Sequence, residues 1–203
     1  MKILETRSLK IEEVKIFKYA RFKDERGYFT ETFRKSDMAG FLGSGAEILQ
    51  ANESYSKPKV LRGLHFQWSP YMGKLVRPLN CRLIDLALDI RKNSKTFGKI
   101  VAAELIGSLE NEYGEWIWVP PGFAHGIYLP EGGLVEYMCT GDYSPGNEAG
   151  IHPLSEDIDW SLCEEKIYNE FQREKNNFII SAKDKLGLSI GDWQKDPRSE
   201  NFL

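Results

Sequence analysis

Leu83-Ile84-Asp85-Leu86-Ala87-Leu88-Asp89-Ile90-Arg91 alternates from end to end. Ile84, Leu86, Leu88 and Ile90 fall on one face of an extended chain and Asp85, Ala87, Asp89 and Arg91 on the other, the period of two expected of a β-strand. Two carboxylates on one face either orient an imidazole or are simply solvated. The same period recurs upstream in Tyr28-Phe29-Thr30-Glu31-Thr32-Phe33, in Val60–Gln67 and in Lys74-Leu75-Val76-Arg77. It recurs downstream over residues 98–109, 115–119, 124–129 and 134–143. Short runs of this kind, punctuated by Gly, Pro, Asn and Asp, predict an antiparallel all-β domain: a sandwich or jelly-roll barrel whose interior holds a small ligand. Two segments read as helices, 35–42 and 163–175. The second does so because Ile167, Phe171 and Lys175 recur at helical spacing among charged residues. Both are expected to be peripheral, and the tail after Gly187 to be a loosely packed end. A single domain over residues 1–203 is expected, with its core at about 14–160, a C-terminal helix and tail at 161–203, and no internal repeat.

Composition narrows the function. Of 203 residues, 41% are hydrophobic and 28% charged, ordinary for a soluble globular protein and too apolar for disorder. Lys and Arg number 27 against 30 Asp and Glu, a net charge of -3 that offers no basic field to a nucleic acid. No run approaches the roughly 18 apolar residues of a membrane span. The opening Met1-Lys2-Ile3-Leu4-Glu5-Thr6-Arg7 lacks the apolar core of a signal peptide, so a cytoplasmic location is expected, with neither membrane nor nucleic acid as partner. Cys81, Cys139 and Cys163 are widely spaced with no CxxC pair, and read as reduced, mostly buried thiols.

The three histidines are the candidate bases near neutral pH. On a regular strand His65 shares a face with Leu61, Gly63 and Gln67, opposite Val60, Arg62, Leu64 and Phe66. The glycine beside it leaves room for a ligand, or the imidazole is a core group satisfied by a carbonyl. His125 follows Pro120-Pro121-Gly122 and reads as a rim-facing imidazole or a turn-stabilising one; His152 reads as a surface residue. Gln67 stands where a metal-binding HxH pair would place its second histidine, so no metal site is expected. Lys74 alternates in phase with Val76 and faces inward or solvent. Tyr137 shares a face with Val135 and Cys139, as a proton donor or as a core phenol.

Strung together, Asp24-Glu25-Arg26-Gly27-Tyr28-Phe29-Thr30-Glu31, Gln50-Ala51-Asn52-Glu53-Ser54, Val60–Gln67, Gly73-Lys74-Leu75-Val76-Arg77 and Asp85-Leu86-Ala87-Leu88-Asp89-Ile90-Arg91 resemble one family. Thr96-Phe97-Gly98, Pro121-Gly122-Phe123-Ala124-His125-Gly126, Tyr143-Ser144-Pro145 and Ile158-Asp159-Trp160 continue the likeness in the same order. That family is the sugar-nucleotide 3,5-epimerases acting on dTDP-4-dehydro-6-deoxyglucose. The resemblance implies a metal-free, cofactor-free cupin jelly roll, a homodimer through exchanged strands, and inversion of carbons flanking the ketone of a dTDP-linked 4-keto-6-deoxyhexose. By resemblance, His65 is the base, Asp184 its carboxylate partner, Lys74 the cation beside the ketone oxygen and Tyr137 the acid on the opposite face. Arg26, Glu31, Gln50, Asn52, Arg62, His125, Glu148 and Lys183 match nucleotide-binding positions, with Tyr143 stacking on the base. The long connection from Trp160 to Asp184 departs from the family pattern and leaves Asp85 as a second candidate partner for His65. Asn80-Cys81 in the turn after the Lys74 strand, and Asp142 before Tyr143, depart as well. Inversion at C3 alone, at C5 alone or on another nucleotide remains open to the residues, as does a non-catalytic nucleotide-sugar-binding cupin. A metal-dependent cupin enzyme is disfavoured by the missing HxH pair.

Overall fold

Two antiparallel sheets face each other in the computed structural model, which describes residues 1–43 and 46–203. The first runs in the order β1 (Ile3–Ser8), β2 (Lys15–Ala20), β10 (Tyr113–Val119), β7 (Lys74–Pro78), β12 (Gly133–Cys139) and β5 (Gln50–Ser56). The second runs β13 (Glu148–Gly150), β6 (Val60–Gln67), β11 (Phe123–Leu129), β8 (Arg82–Asp89) and β9 (Ile100–Ile106). A separate hairpin pairs β3 (Phe22–Asp24) with β4 (Gly27–Phe29), so the strand expected to continue to Phe33 stops at Phe29. Helices are few and short: α1 (Lys35–Met38), α2 (Glu165–Glu174), α3 (Ala182–Lys185), α4 (Ile190–Lys195) and a 3-10 turn (Pro197–Asn201). The architecture is the all-β jelly roll that the alternating pattern predicts, of the cupin type that the resemblance implies.

Between the sheets lies one apolar core, including Val76, Ala87, Val101, Ile117, Phe123, Ile127 and Val135. The opposite face of the second sheet is equally apolar. Leu61, Leu64, Phe66, Ile84, Leu86, Leu88 and Ile90 pack there against Ile167 and Phe171 of α2, Ile190 and Trp193 of α4, and Phe202. The C-terminal region is therefore neither peripheral nor loosely packed, contrary to the reading of 161–203 from sequence. A sheet with apolar residues on both faces needs a second cover, and each large side chain that supplies it stabilises the fold by about 1.5–3 kcal/mol. Trp193 is fully buried, stacks edge-on with Phe66 at 4.7 Å and donates its indole N–H to the Ile90 carbonyl at 3.1 Å. Helix α1 likewise buries Met38, with Leu42, against Phe17, Leu75, Trp116 and Trp118 on the outer face of the first sheet.

Strand β6 breaks its own alternation. His65 pairs with His125 of β11, but Arg62 pairs with Ile127, so the register slips by one residue between them. Gly63 sits in this bulge with φ +116°, and a Cβ on it would lie 2.7 Å from both the Gly126 Cα and the His125 carbonyl oxygen. The bulge turns Arg62 and His65 toward the same side, between the sheets, while Leu61, Leu64 and Phe66 enter the outer core. A strict alternation placed Arg62 opposite His65, and the extra residue overturns that expectation.

Candidate active site

A cavity of about 520 Å³ opens between the sheets, and His65, Lys74, His125, Tyr137 and Asp184 all line it. A smaller recess of about 220 Å³ shares His65, Lys74 and Tyr137 with it and adds Gln50, Asn52 and Glu148. The second sheet contributes the histidines. The first contributes the lysine, on β7, and the phenol, on β12, so imidazole and phenol enter one space from facing walls.

His65 is held from behind. Asp184 Oδ1 lies 2.8 Å from His65 Nε2, and Asp184 Oδ2 accepts the Gly63 backbone N–H at 3.2 Å. Asp184 is steadied in that position because α3 is capped by Ser181, whose hydroxyl accepts the Asp184 N–H at 3.1 Å. This N-cap is legible in Ser181-Ala182-Lys183-Asp184, a Ser followed three positions later by an acid. With Nε2 engaged, Nδ1 remains for a substrate. Burial pushes the His65 pKa down and Lys74 adds to that; Asp184 pulls upward but does not restore the ordinary value. The carboxylate thus holds the imidazole in place and opposes the fall that burial causes.

Lys74 faces Cys139 across the β7–β12 ladder, and Tyr137 faces both Val76 and Asn52. Neither the ammonium nor the phenol has a side-chain or backbone hydrogen-bond partner among the described residues. Burial pushes Lys74 down, against the pull of Cys139, Asp85 and Glu148, and pushes the Tyr137 phenol up. An ammonium left without a partner and a phenol that keeps its proton suit an electrophile and an acid respectively.

Asp85 does not meet His65; its Oδ2 lies 2.8 Å from His125 Nε2. His125 is itself buried in mid-sheet rather than at the rim, because β11 lies between β6 and β8. Asp89, the other carboxylate of that face, is taken up by Arg91, Ser94 and Thr96. Arg62 is steadied by the Ser56 hydroxyl and the Tyr55 carbonyl, both at 2.9 Å. Glu148 links the Tyr143 hydroxyl at 2.9 Å and the Lys183 ammonium at 2.8 Å, and Gln50 accepts the Tyr143 backbone N–H at 3.0 Å. Gln67, at the position considered for a metal ligand, clamps loops instead: it donates to the Pro70 and Asp142 carbonyls and accepts from the Ser144 N–H. Among the described residues no three His, Cys, Asp or Glu side chains converge as a metal group.

Arg26 and Glu31 stand apart. Arg26, on the turn of the β3–β4 hairpin, is exposed and paired with Asp24 at 2.6 Å. Glu31 pairs with Arg34 and with the Met1 amino group. Neither lines the cavity of its own chain. Ile179 and Ile180 do, although nothing in the sequence singled them out. Ile179 bonds in parallel to the edge of β6, a contact that follows from the long connection and carries no local signal.

A model of the dTDP-4-dehydrorhamnose 3,5-epimerase family matches residues 8–192. The dTDP-4-dehydrorhamnose 3,5-epimerase of Escherichia coli K12 is 40% identical over 186 residues, covering 90% of this chain and 92% of its own. That of Methanothermobacter thermautotrophicus is 40% identical over 81% of this chain and 82% of its own. Among solved structures, the Legionella pneumophila dTDP-6-deoxy-D-glucose-3,5-epimerase in complex with dTDP-4-keto-L-rhamnose superposes with a TM-score of 0.77 at 35% identity, covering 92% of this chain and 93% of its own. With that match over nearly its whole length, the chain belongs to the dTDP-4-dehydrorhamnose 3,5-epimerase family and is an isomerase of the carbohydrate-epimerase type.

Proposed function

We propose that this protein inverts both C3 and C5 of dTDP-4-dehydro-6-deoxyglucose by removing and returning a proton beside the C4 ketone. The observation that carries the proposal is the entry of His65 and Tyr137 into one cavity from facing sheets, with Lys74 in the same lining. A base on one side and an acid on the other are what inversion demands, since a proton returned from the side it left restores the starting configuration. In this reading His65 Nδ1 takes the carbon-bound proton while Asp184 holds the ring. The electron pair moves onto the ketone oxygen, where the Lys74 ammonium stabilises the enolate. Tyr137 then gives its hydroxyl proton to the other face of the same carbon and is reprotonated from solvent.

The nucleotide serves as a handle. Arg62, His125 and Lys183 suit the diphosphate, while Gln50, Asn52, Glu148 and the half-exposed ring of Tyr143 suit the nucleoside. Holding the remote group positions the sugar without touching its reacting carbons. Arg26 and Glu31 belong to the site only if a second chain brings them, and we take the active form to be a homodimer whose hairpins reach into each other's cavities. Phe22 and Phe29 on that hairpin are 50% and 68% exposed, an apolar surface suited to such a contact. Incubation with dTDP-4-dehydro-6-deoxyglucose in deuterium oxide, followed by NMR, tests the reading. Label at both C3 and C5 of an inverted product is expected. Label at one carbon reduces the protein to a monofunctional epimerase, and no exchange leaves only a binding role.

A further inference from the structure

Asp184 meets His65 from a helix too short to hold itself. Helix α3 has four residues, and a single helical turn is marginal in water without outside support. What fixes it lies in the segments on either side, and both are tied to the second sheet. On the C-terminal side, the Leu188 N–H donates to the Gly150 carbonyl at 2.9 Å and the Leu188 carbonyl accepts from the His152 N–H at 2.8 Å. On the N-terminal side, Ile179 donates its N–H to the Lys59 carbonyl at 2.8 Å and accepts from the Leu61 N–H at 3.1 Å. Asp184 falls between these two attachments in the chain, and its Oδ2 takes the Gly63 N–H at the bulge of β6.

The N-terminal attachment needs a further support. The Ile179 side chain is 55% exposed, so it brings little burial to the two backbone bonds beside it. Phe178 supplies the burial. Its ring packs edge-on against the fully buried Tyr128 of β11 at 4.8 Å, and against Phe171 of α2 at 4.7 Å. Helix α2 is itself fastened to the sheet, because the Arg82 guanidinium of β8 holds Glu170 through two bonds of 2.6 Å. Its other end reaches the same attachment point: Glu174 pairs with the Lys59 ammonium at 3.3 Å. Lys59 stands at φ +65°, a left-handed conformation that a residue with a side chain keeps only where its surroundings fix it.

We propose that the strap at residues 178–180 holds Asp184 against His65, and that Phe178 is its anchor: a positioning residue outside the cavity that acts on the imidazole through α3. Ile179 and Ile180 carry the strap from that anchor along the cavity lining to the Ser181 cap. The catalytic consequence rests on the reading of His65 as the base; the effect on the imidazole does not.

With three histidines in the chain, 15N NMR of histidine-labelled protein resolves each ring, and His65→Ala assigns the His65 signals. The unaltered chain is expected to hold His65 in one form, with its proton on Nε2 toward Asp184. His125 is the internal control, since its partner Asp85 lies on β8. Phe178→Ala should leave His65 averaging between its two neutral forms while the His125 signals stay in place, and Phe178→Leu should keep the single form. In deuterium oxide, sugar-proton exchange by Phe178→Ala should fall by on the order of 10²-fold, the scale of a misplacement of about 1 Å, and largely recover in Phe178→Leu. A phenylalanine with a merely structural role would lower the melting temperature and leave the His65 signals and the exchange rate unchanged; that result overturns the proposal. Should Phe178→Ala not fold, Ile179→Pro decides, because it deletes the N–H donated to Lys59 at an exposed position and leaves the aromatic packing intact. A folded Ile179→Pro chain that loses the single His65 form supports the proposal, and one that keeps it overturns it. An unaltered chain that exchanges no sugar proton refutes the functional reading alone, since the NMR comparison is decided without substrate.

Discussion

An imidazole that must take a proton from carbon works only while it is neutral. At His65, burial and the neighbouring Lys74 lower the pKa, and Asp184 recovers only part of the loss. The sign follows directly: the neutral base survives to lower pH than a free histidine allows, so the acid limb of kcat/KM should fall below the usual imidazole value of about 6.5. A pH–rate profile with its acid limb at or above that value would contradict the assignment of His65 as base. The division of labour is checked separately in deuterium oxide. His65→Ala should reduce exchange at both carbons by roughly 10²–10⁴-fold, the scale of general-base catalysis. Tyr137→Phe should leave exchange measurable while inversion is lost, because the phenol acts only on the return of the proton. Equal loss in both variants would deny the phenol its separate role. The identities of these groups are visible in the sequence, but their pairing is not. Asp85 and Asp184 were both available to His65, and only the three-dimensional path of the chain gives the first to His125 and the second to His65.

Strands were legible where a regular pleat met a buried face. In β8 the alternation holds throughout, with Ile84, Leu86 and Leu88 in the outer core and Asp85 and Ala87 facing between the sheets. In β7 and β12 it correctly set Lys74 beside Val76 and Tyr137 beside Val135. It failed at β6, where a bulge adds one residue to the count and no residue type announces the slip except Gly63. Edge strands β1 and β5 carried no apolar period either: an edge is solvated, so Glu5, Arg7, Gln50, Asn52 and Glu53 serve there as well as hydrophobes would. The bulge yields a prediction at the level of the element. Gly63→Ala places a methyl against the backbone of β11 at a φ that L-residues avoid. Thermal or urea denaturation should show a loss of about 1–3 kcal/mol or more, together with a fall in kcat because Arg62 and His65 share the disturbed turn. A variant as stable and active as the parent would mean that the bulge is not needed to aim these two side chains.

At the scale of the whole molecule, the cover of the second sheet and the proposed contact between chains come from opposite ends of the sequence. The cover was hidden because its anchors, Phe171, Ile190, Trp193 and Phe202, come from several short segments rather than from one periodic helix. The apolar outer face of β8 was nonetheless a sign that something had to lie on it. Trp193→Ala should therefore cost about 3–5 kcal/mol in a denaturation experiment, as a buried tryptophan does, whereas a loosely packed tail would cost almost nothing. The N-terminal hairpin poses the reverse problem: its Arg26 is exposed and not in its own cavity lining, yet by resemblance it matches a nucleotide-binding position. If each hairpin serves the partner's cavity, Arg26→Ala and His65→Ala damage different halves of a shared site. A mixed dimer then holds one site with an intact barrel and an intact hairpin, and one site with neither. Mixing the two weak variants in equal amounts, after dissociation and reassembly, should restore about a quarter of the parental activity, since half of randomly formed dimers are mixed and each has one good site. Activity that never exceeds the mean of the two separate variants would place Arg26 in service of its own chain, or of none.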